Sequence, residues 1–341
     1  MAATRELDSR LLANERYDSF VACSPQRILF CRTWWLDAVA PGQYKILTVE
    51  RAGAIRAAWP IVLGRSCGTV QVQMPPLTHR LGILFGPSNA KYAEQLSEEH
   101  RLIEALIRQL PVPCHLSYSF HESFHNWLPF YWNGLQQTTR YTYVLQPLTD
   151  TKSLWDNLRF AERTVIRKAR KEGIQSKVTD DLDLYYAVSK KTYARQGMRV
   201  PYSLDLLARI DGAARQNAAR RLLLAEDSQG RVHACEYIVY DGDCAISLLA
   251  GADPALRSSG AQALLKWDAI ALAAGTSRRF DFSGSIIRGV ELAMRGFGAV
   301  QTPYFHIWGR PAMHERRGLV SMGRQLAARA LRKIAGVLEP K

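Results

Sequence analysis

Long apolar runs are missing from this sequence. None approaches the roughly 18 uncharged apolar residues of a membrane-spanning helix. The amino-terminal stretch MAATRELDSRLLANERYDSF mixes acids with arginines and lacks the apolar core of a secretory signal. These absences argue against a membrane-spanning or exported protein, so we expect a cytoplasmic one.

Paired cysteines are missing as well. The six cysteines are scattered singly, without a C-x-x-C pair, which indicates reduced, mostly buried thiols rather than a disulfide framework. No nearby His and Asn pattern marks one of them as a nucleophile, and no Ser/His/Asp arrangement is evident. A catalytic cysteine is therefore the less favoured interpretation of these residues.

Positive charge is what the chain has in excess. Its 341 residues carry a formal net charge of +14, with a pI near 9.7. This charge predicts attraction to anions such as nucleotides, nucleic acid, anionic lipid or a phosphorylated carrier, and its sign does not choose among them. With 47% apolar and 22% charged residues, the composition is that of a soluble globular protein whose length suits two domains.

Hydrophobic periodicity and turn residues place the helices and strands. The predicted helices cover residues 27–39, 92–110, 153–171, 182–196, 203–216, 261–274 and 291–295. The predicted strands cover residues 44–50, 55–63, 69–73, 114–120, 141–148, 221–225, 232–240, 244–251, 280–282 and 300–308. Residues 74–87 and 126–137 are predicted to be loops.

The order of these elements is similar in the two halves of the chain. The first half gives helix, hairpin, strand, helix and strand, and the second gives helices, hairpin, strand, helix and two strands. We therefore predict a mixed α/β (α+β) fold of two tandem domains, each with a mostly antiparallel sheet flanked by helices. The predicted domains cover residues 1–147 and 148–310, followed by a basic amphipathic tail at 311–341.

The stretch Cys244–Phe282 is the most informative part of the chain. An apolar strand leads into a short loop with Arg257 and Gly260, then a helix, then a strand that ends at Phe282. Gly260 removes a side chain where the chain turns into the helix, so we expect the first backbone N–H groups to be bare. Those groups, the positive end of the helix dipole and the Arg257 guanidinium together suit a pyrophosphate.

This order of strand, R-x-x-G-x, helix and strand resembles the acyl-CoA pyrophosphate loop of GCN5-related N-acyltransferases, the GNAT superfamily. Arg257 and Gly260 match that family's pattern, whereas Gln262 stands where the family usually has Gly or Ala. Further segments resemble the FemAB-type and BioF-2-like branch, which includes tandem-domain peptidoglycan aminoacyl transferases and CelD-like proteins of cellulose biosynthesis. These segments are Leu154-Trp-x-x-Leu158, Arg163-x-x-Ile166-Arg-Lys-Ala169, Thr192–Gly197, Leu264–Ile270, Phe280–Gly284 and Gly296-Phe-Gly298.

One departure from that branch bears on the acyl donor. In the peptidoglycan aminoacyl transferases a Phe-Lys pair precedes a Gly-Phe-Gly-like turn, and that lysine is linked to the aminoacyl-tRNA reaction. The matching positions here are Ala293 and Met294. The missing lysine and the loop at Arg257 and Gly260 favour acyl-CoA as the acyl donor, with aminoacyl-tRNA as the alternative.

The resemblance implies acyl-CoA as co-substrate and no metal. The pyrophosphate would bind at the loop, and backbone N–H groups of the preceding strand would polarise the thioester carbonyl. The implied residues that bind acyl-CoA are Leu249, Gly251, Arg257, Ser258, Ser259, Gly260 and Ala261.

Three residues are candidates for the proton transfers that GNAT chemistry requires at the amine and at the leaving thiolate. Glu236 lies amid apolar strand residues, where desolvation would raise its pKa and suit a general base, unless the strand is an edge strand and the carboxylate faces solvent. Asp281 either holds or deprotonates the acceptor amine, or caps the turn that follows it. Tyr304 is a candidate acid for the thiolate, although a tyrosine in a strand more often serves packing.

The candidate residues for binding the acceptor are Arg163, Arg167, Ser283 and Ser285. The two arginines, with Arg170, fall on one basic face of the predicted helix 153–171, which either clamps an anionic acceptor or carrier or faces solvent. The two serines lie in the turn after Asp281.

Two further patterns carry separate hypotheses. His121-Glu122-Ser-Phe-His125 spells the H-E-x-x-H of zinc peptidases, but the third ligand of the longer pattern is missing, and we interpret the match as coincidental. Residues 310–341 hold eight arginines and lysines against two glutamates, a net of +6, with apolar residues at helical spacing. This is typical of a basic helix that lies on an anionic membrane surface, which would make the protein peripheral on the inner membrane face, or that docks on the protein body.

We therefore predict an N-acyltransferase that moves an acyl group from acyl-CoA to an amine on a sugar, a peptide or a cell-surface polymer precursor. One alternative is an aminoacyl-tRNA-dependent transferase acting on a cell-wall precursor, and only this hypothesis has a nucleic acid as partner. The other is a non-catalytic GNAT-like scaffold in polysaccharide biosynthesis, favoured by Gln262 and the basic tail.

Overall fold

The computed structural model describes residues 2–312 except 149, 196 and 286, with side chains from residue 11 onward. The α-helices of this part are α1 (Ala2–Cys23), α2 (Thr33–Val39), α3 (Tyr92–Ile107), α4 (Leu128–Trp132), α5 (Thr151–Asp156), α6 (Phe160–Lys171), α7 (Leu182–Arg195), α8 (Leu204–Gln216), α9 (Ala261–Ala273) and α10 (Arg288–Gly296). Short 3-10 helices cover Leu29–Cys31 and Pro254–Ser259. Nearly all of the predicted basic tail lies outside the described residues.

The strands form one 12-stranded sheet. They are β1 (Tyr44–Arg51), β2 (Ala54–Ser66), β3 (Thr69–Gln73), β4 (Leu84–Phe85), β5 (Cys114–Ser119), β6 (Gln136–Leu145), β7 (Gln175–Thr179), β8 (Arg220–Glu226), β9 (Val232–Tyr240), β10 (Cys244–Ala252), β11 (Arg279–Asp281) and β12 (Val300–Gly309). The order is β1-β2-β3-β5-β12-β6-β11-β10-β9-β8-β7, with β4 beside β2. Pairing is mostly antiparallel and helices flank the sheet, which confirms the predicted fold class.

The two ends of the sheet repeat one topology. At one end β1, β2 and β3 are antiparallel and β3 pairs in parallel with β5, while at the other β8, β9 and β10 are antiparallel and β10 pairs in parallel with β11. The connection between the parallel strands includes α3 in the first case and α9 in the second. In the middle, β12 lies between β5 and β6 and so joins the two ends. The repetition agrees with a tandem fold, and the predicted domain limits stay a prediction.

The second half of the sheet is covered on both faces. Every residue of β9 except the first and last is buried, as expected for a strand that lies between two layers of helices. Alternate residues of β9 contact two different clusters. Ala234 and Ile238 pack with α9, and Cys235 and Tyr237 pack with α7 and α8. The central strands are therefore interior, and a charged side chain on them needs an ion-pair or hydrogen-bond partner inside the protein.

Several local elements differ from the prediction. The predicted helix 153–171 is two helices, α5 and α6, and the cap of α5 is Asp150, whose side chain accepts from the Lys152 N–H at 2.9 Å. The sequence pattern did not predict α1, the short helix α4, the short strand β4 or the edge strand β7. β7 has the sequence QSKVT, whose mostly exposed residues give no apolar alternation to read. Among the described residues, every helix is too short or too polar to cross a bilayer.

Candidate active site

The parallel strands β10 and β11 separate after three residue pairs, which are Cys244–Arg279, Ala245–Phe280 and Ile246–Asp281. Beyond the last pair, β10 continues along β9 alone. The chain after β11 turns toward β6, where the Phe282 N–H donates to the Tyr143 carbonyl at 2.9 Å. An opening therefore forms between two strands in the middle of the sheet, and its apex lies just after Ile246 and Asp281.

A β-bulge interrupts β10 at the start of this opening. The register of β10 against β9 shifts between Ser247 and Leu249, which leaves Leu248 without a partner on β9. Bulges bend a strand and redirect its backbone groups. The predicted polarising N–H groups of Leu249 and Gly251 lie on this part of β10.

Gly251 also has a packing role. A Cβ there would lie 3.0 Å from the Cys235 sulfur and 3.1 Å from the Ser189 Cα of α7. The glycine lets α7 approach the strand, so packing alone explains why this position is a glycine.

The predicted pyrophosphate loop is a 3-10 turn that ends in a left-handed glycine. Gly260 has φ +75° and precedes the first residue of α9. A Cβ at this position would lie 2.7 Å from the Val165 Cγ1 and 2.8 Å from the Val165 carbonyl oxygen of α6. Glycine is therefore required by the backbone conformation and by the packing of α6, a reason that the sequence pattern did not show.

The expectation of bare amides at the start of α9 is mostly wrong. The Ala261 N–H donates to the Ser259 hydroxyl at 3.3 Å, and the Ala263 N–H donates to the Gly260 carbonyl at 3.1 Å. Only the Gln262 N–H in this first turn is without a hydrogen-bond partner among the described residues. The serine that precedes the glycine accepts from the first N–H of the helix through its own hydroxyl.

Cationic side chains do surround this loop. Arg257 is exposed and has no partner within the described part of the chain. Lys168 of α6 reaches the loop and donates to the Ser258 carbonyl at 3.3 Å. The buried Ser259 also contacts the His233 Nδ1 at 2.9 Å, so its hydroxyl is committed inside the protein. The loop thus presents positive charge beside the Gln262 N–H.

The predicted basic face on α6 contacts α5 and α9. Arg163 donates to the Asp156 carbonyl at 3.2 Å, and the Arg167 guanidinium lies 5.6 Å from the centroid of a Trp155 ring. Arg170 pairs with Asp268 at 3.0 Å. These contacts place the arginines on the outer side of the loop region rather than at the apex of the opening.

Glu236 is buried on the central strand β9, so the edge-strand alternative is wrong. Its carboxylate accepts from Lys266 Nζ of α9 and from the Ser247 hydroxyl, each at 2.5 Å. The carboxylate is thus an ion-pair partner next to the opening. Lys266 was not identified as a site residue from the sequence, because it is one of three polar residues in an otherwise apolar helix.

Asp281 is fully buried at the apex of the opening. Its carboxylate pairs with the Arg80 guanidinium and accepts from the Thr142 hydroxyl at 2.5 Å and the Ser283 N–H at 2.7 Å. The capping of the following turn, one of the two predicted roles, is therefore present. The Arg80 guanidinium also lies 5.4 Å from the centroid of the Tyr304 ring, so Arg80 brings two predicted catalytic residues together.

The two predicted serines differ in position. The Ser283 hydroxyl donates to the Ser247 carbonyl at 2.8 Å and so bridges the two arms of the opening. The Ser285 hydroxyl accepts from the Ile287 N–H at 3.1 Å, close to the start of α10.

The ion network around Arg80 continues away from the opening. Glu122 contacts the Arg80 Nε at 3.3 Å and pairs with Arg279. Burial by itself would raise the pKa of Glu122, but Arg80, His121 and Arg279 outweigh it and hold that pKa well below its usual range. Arg80 lies in a stretch predicted as a loop, and no local pattern marked it.

The H-E-x-x-H segment is part of this network and forms no helix. Burial lowers the pKa of His121 to about 4, and its Nε2 faces the Arg279 guanidinium at 3.3 Å. A neighbouring cation disfavours a bound metal ion. Within residues 2–312, apart from the three gaps, no group of three or more His, Cys, Asp or Glu side chains could hold a metal.

Residues 161–291 match the family model described as an acetyltransferase (GNAT) domain. This part of the chain is similar to a GNAT domain. The domain includes the opening between β10 and β11, the Gly260 loop, Glu236 and Asp281, while Arg80 and Tyr304 lie outside it. No curated protein matches the chain in sequence.

Solved structures resemble nearly the whole chain. FemX has a TM-score of 0.65 at 12% identity, covering 86% of this chain and 95% of that one. The C-terminal DUF2156 domain of a putative lysylphosphatidylglycerol synthetase from Agrobacterium fabrum has a TM-score of 0.53 at 12% identity, covering 92% and 95%. A tandem GNAT protein from the clavulanic acid biosynthesis pathway has a TM-score of 0.50 at 12% identity, covering 87% and 94%. At such identities the likeness concerns the fold, and it confirms the FemAB-like GNAT resemblance at that level.

Proposed function

We propose that this protein transfers an acyl group from acyl-CoA to an amine on a sugar, a peptide or a cell-surface polymer precursor. The opening between β10 and β11 carries this proposal. An extended pantetheine arm can lie along the free side of β10 as an additional strand would, with its thioester at the apex beside the bulge at Leu248. The amine nitrogen then attacks the thioester carbonyl, and the CoA thiolate leaves.

Charge at the loop supports a phosphorylated acyl donor. Arg257 and Lys168 lie near the start of α9, where the helix dipole adds partial positive charge. Together with the Gln262 N–H they offer an anion one backbone donor and two cationic groups. This arrangement suits the diphosphate of CoA at the outer end of the opening.

The site also supports a division of roles between the predicted carboxylates. Both carboxylates are paired, Glu236 with Lys266 and Asp281 with Arg80, but only Asp281 lies beside Tyr304. We propose that Asp281 orients the acceptor amine and receives its proton through the Ser283 turn or a water molecule. Tyr304 protonates the leaving thiolate, and burial raises its pKa, which keeps the hydroxyl protonated at neutral pH.

A second acyl donor is favoured by one observation. The Ala261 and Ala263 amides are already hydrogen-bonded within the loop, which leaves a smaller cradle for a diphosphate than a bare helix start offers. An aminoacyl-tRNA would place an ester rather than a thioester at the apex. The net charge of +14 suits a nucleic acid of this kind.

Calorimetric titration with CoA and acetyl-CoA tests the proposed function. We expect binding by the wild-type protein and about tenfold weaker binding by Arg257→Ala, since a charge-assisted hydrogen bond contributes about 1.5–3 kcal/mol. Arg278→Ala is the matched control, because Arg278 is also exposed but lies at the far end of β11. Heat from neither ligand would refute the acyl-CoA proposal, and binding of a charged tRNA instead would support the second acyl donor.

A membrane contact through residues 311–341 is a separate proposal from the sequence. The net positive charge of this segment would draw the protein to anionic lipid. Co-sedimentation with phosphatidylglycerol vesicles, compared between the full chain and a chain ending at residue 310, tests it. Equal sedimentation of both proteins contradicts it.

A further inference from the structure

A buried ion pair occupies the apex of the opening. The Lys266 Nζ lies 2.5 Å from the Glu236 Oε1 and 2.6 Å from the Ser247 Oγ. The Lys266 side chain is 14% exposed, and the Glu236 side chain is 2% exposed. A lysine so little exposed loses hydration, and a nearby carboxylate is needed to compensate for that loss.

The Lys266 ammonium lies where the two arms of the opening begin. Ser247 is the first residue of β10 after the last parallel pair, and Phe282 is the corresponding residue after β11. The ammonium contacts the Ser247 hydroxyl and lies 5.8 Å from the centroid of the Phe282 ring. The bulge at Leu248 begins one residue further along β10.

We propose that Lys266 stabilises the oxyanion that forms on the carbonyl of the acyl donor, together with a backbone N–H of the bulge. Glu236 and Ser247 are positioning residues that hold its ammonium at the apex. This inference rests on the proposed function, because it requires the acyl group to lie in the opening. It replaces the predicted role of Glu236 as general base.

The chemistry balances without proton transfer from Lys266. The amine nitrogen bonds to the carbonyl carbon, and the carbonyl π electrons move to the oxygen, which becomes an oxyanion. When the carbonyl re-forms, the C–S bond breaks and the thiolate leaves with that electron pair. The amine proton passes to Asp281 or water. A fixed positive charge in a site with little water lowers the energy of the oxyanion more than that of the neutral carbonyl.

The carbonyl resonance of [1-13C]acetyl-CoA reports this contact without a known acceptor. We expect a downfield shift when acetyl-CoA binds the wild-type protein, because the ammonium polarises the carbonyl. Lys266→Met should abolish the shift while retaining acetyl-CoA affinity, and Lys266→Arg should restore part of it. Lys168→Met is the matched control, since that lysine contacts the loop at the outer end and should affect affinity rather than the resonance.

Lys266→Met leaves the Glu236 carboxylate buried and unpaired, so Lys266→Met/Glu236→Gln is measured beside it. This double variant removes both charges, so no carboxylate is left buried without a counterion, and its circular dichroism is compared with that of the wild-type protein. With glucosamine as acceptor, we expect the double variant to release CoA thiol from acetyl-CoA about 10²–10³-fold more slowly than the wild-type protein, the usual effect of removing one oxyanion donor.

The outcomes separate the two proposals. If the wild-type protein binds no acetyl-CoA, the proposed function fails and this role of Lys266 fails with it. If acetyl-CoA binds but the carbonyl resonance is the same in the wild-type protein and the double variant, only the role of Lys266 is wrong.

Discussion

Replacing Arg80 by methionine removes the guanidinium that joins two buried carboxylates. The side chains of Arg80, Asp281 and Glu122 are 1%, 0% and 8% exposed. Without Arg80, Asp281 keeps only its hydrogen bonds from the Thr142 hydroxyl and the Ser283 N–H. Neither group carries a charge, so the Asp281 carboxylate would stay buried without a counterion.

The expected cost is large for a single substitution. Removing one partner of a buried ion pair destabilises proteins by about 3–5 kcal/mol. With an unfolding entropy of about 2.1 cal/mol/K per residue, the 341 residues give about 0.7 kcal/mol/K. The melting temperature of Arg80→Met should therefore fall by about 4–7 °C.

Thermal unfolding followed by circular dichroism at pH 7 measures this effect. Arg80→Met/Asp281→Asn should recover more than half of the loss, because the uncompensated carboxylate is then neutral. Arg278→Met is the control for loss of an exposed arginine. Equal melting temperatures of Arg80→Met and Arg278→Met would contradict this role of Arg80, as would a double variant no more stable than Arg80→Met.

Three further predictions concern stability. Gly260→Ala should cost about 1–3 kcal/mol more than Gly173→Ala in urea unfolding, because both glycines have positive φ but only at Gly260 would the new Cβ clash with α6; equal losses contradict this. The pKa of His121 is about 4 in the folded protein and about 6.5 in the unfolded chain, so between these pH values only the unfolded chain binds the proton. The free energy of unfolding should therefore drop by up to about 3 kcal/mol as the pH falls from 6.5 toward 4. His121→Gln should flatten that part of the profile, and an unchanged profile argues against a buried neutral imidazole. Thr142→Val should lower the free energy of unfolding by about 1.5–3 kcal/mol, the contribution of a hydrogen bond to the charged Asp281. An unchanged free energy of unfolding in calorimetry would show that this hydrogen bond does not stabilise the protein.

The order and type of most elements could be predicted from the sequence. Strands such as β3 and β9 were predicted with the observed bounds. Each has a pattern of alternating or continuous apolar residues that is visible within the segment itself. The loop at Gly260 was found for the same reason, since glycine and arginine between a strand and a helix form a local pattern. Short or polar elements such as α4 and β7 left no such pattern.

The partners of the site residues could not be predicted in this way. Periodicity indicated that Glu236 was on an apolar strand, but not that Lys266 lies opposite it on α9. It identified Asp281 at a strand end, but its counterion Arg80 is 201 residues away in the chain. Ser259 is next to Gly260 in the sequence, but only the geometry of the turn places its hydroxyl where it accepts from the Ala261 N–H.

By itself, the sequence determined the fold class, the strand, loop and helix that form the opening, and the excess of positive charge. These follow from interactions between neighbours along the chain. The tertiary structure alone decided which cation pairs with each carboxylate and which amides at the start of α9 are hydrogen-bonded. Such pairings depend on the free energy of burying a charge, which is set by whatever side chain the folded backbone brings opposite it.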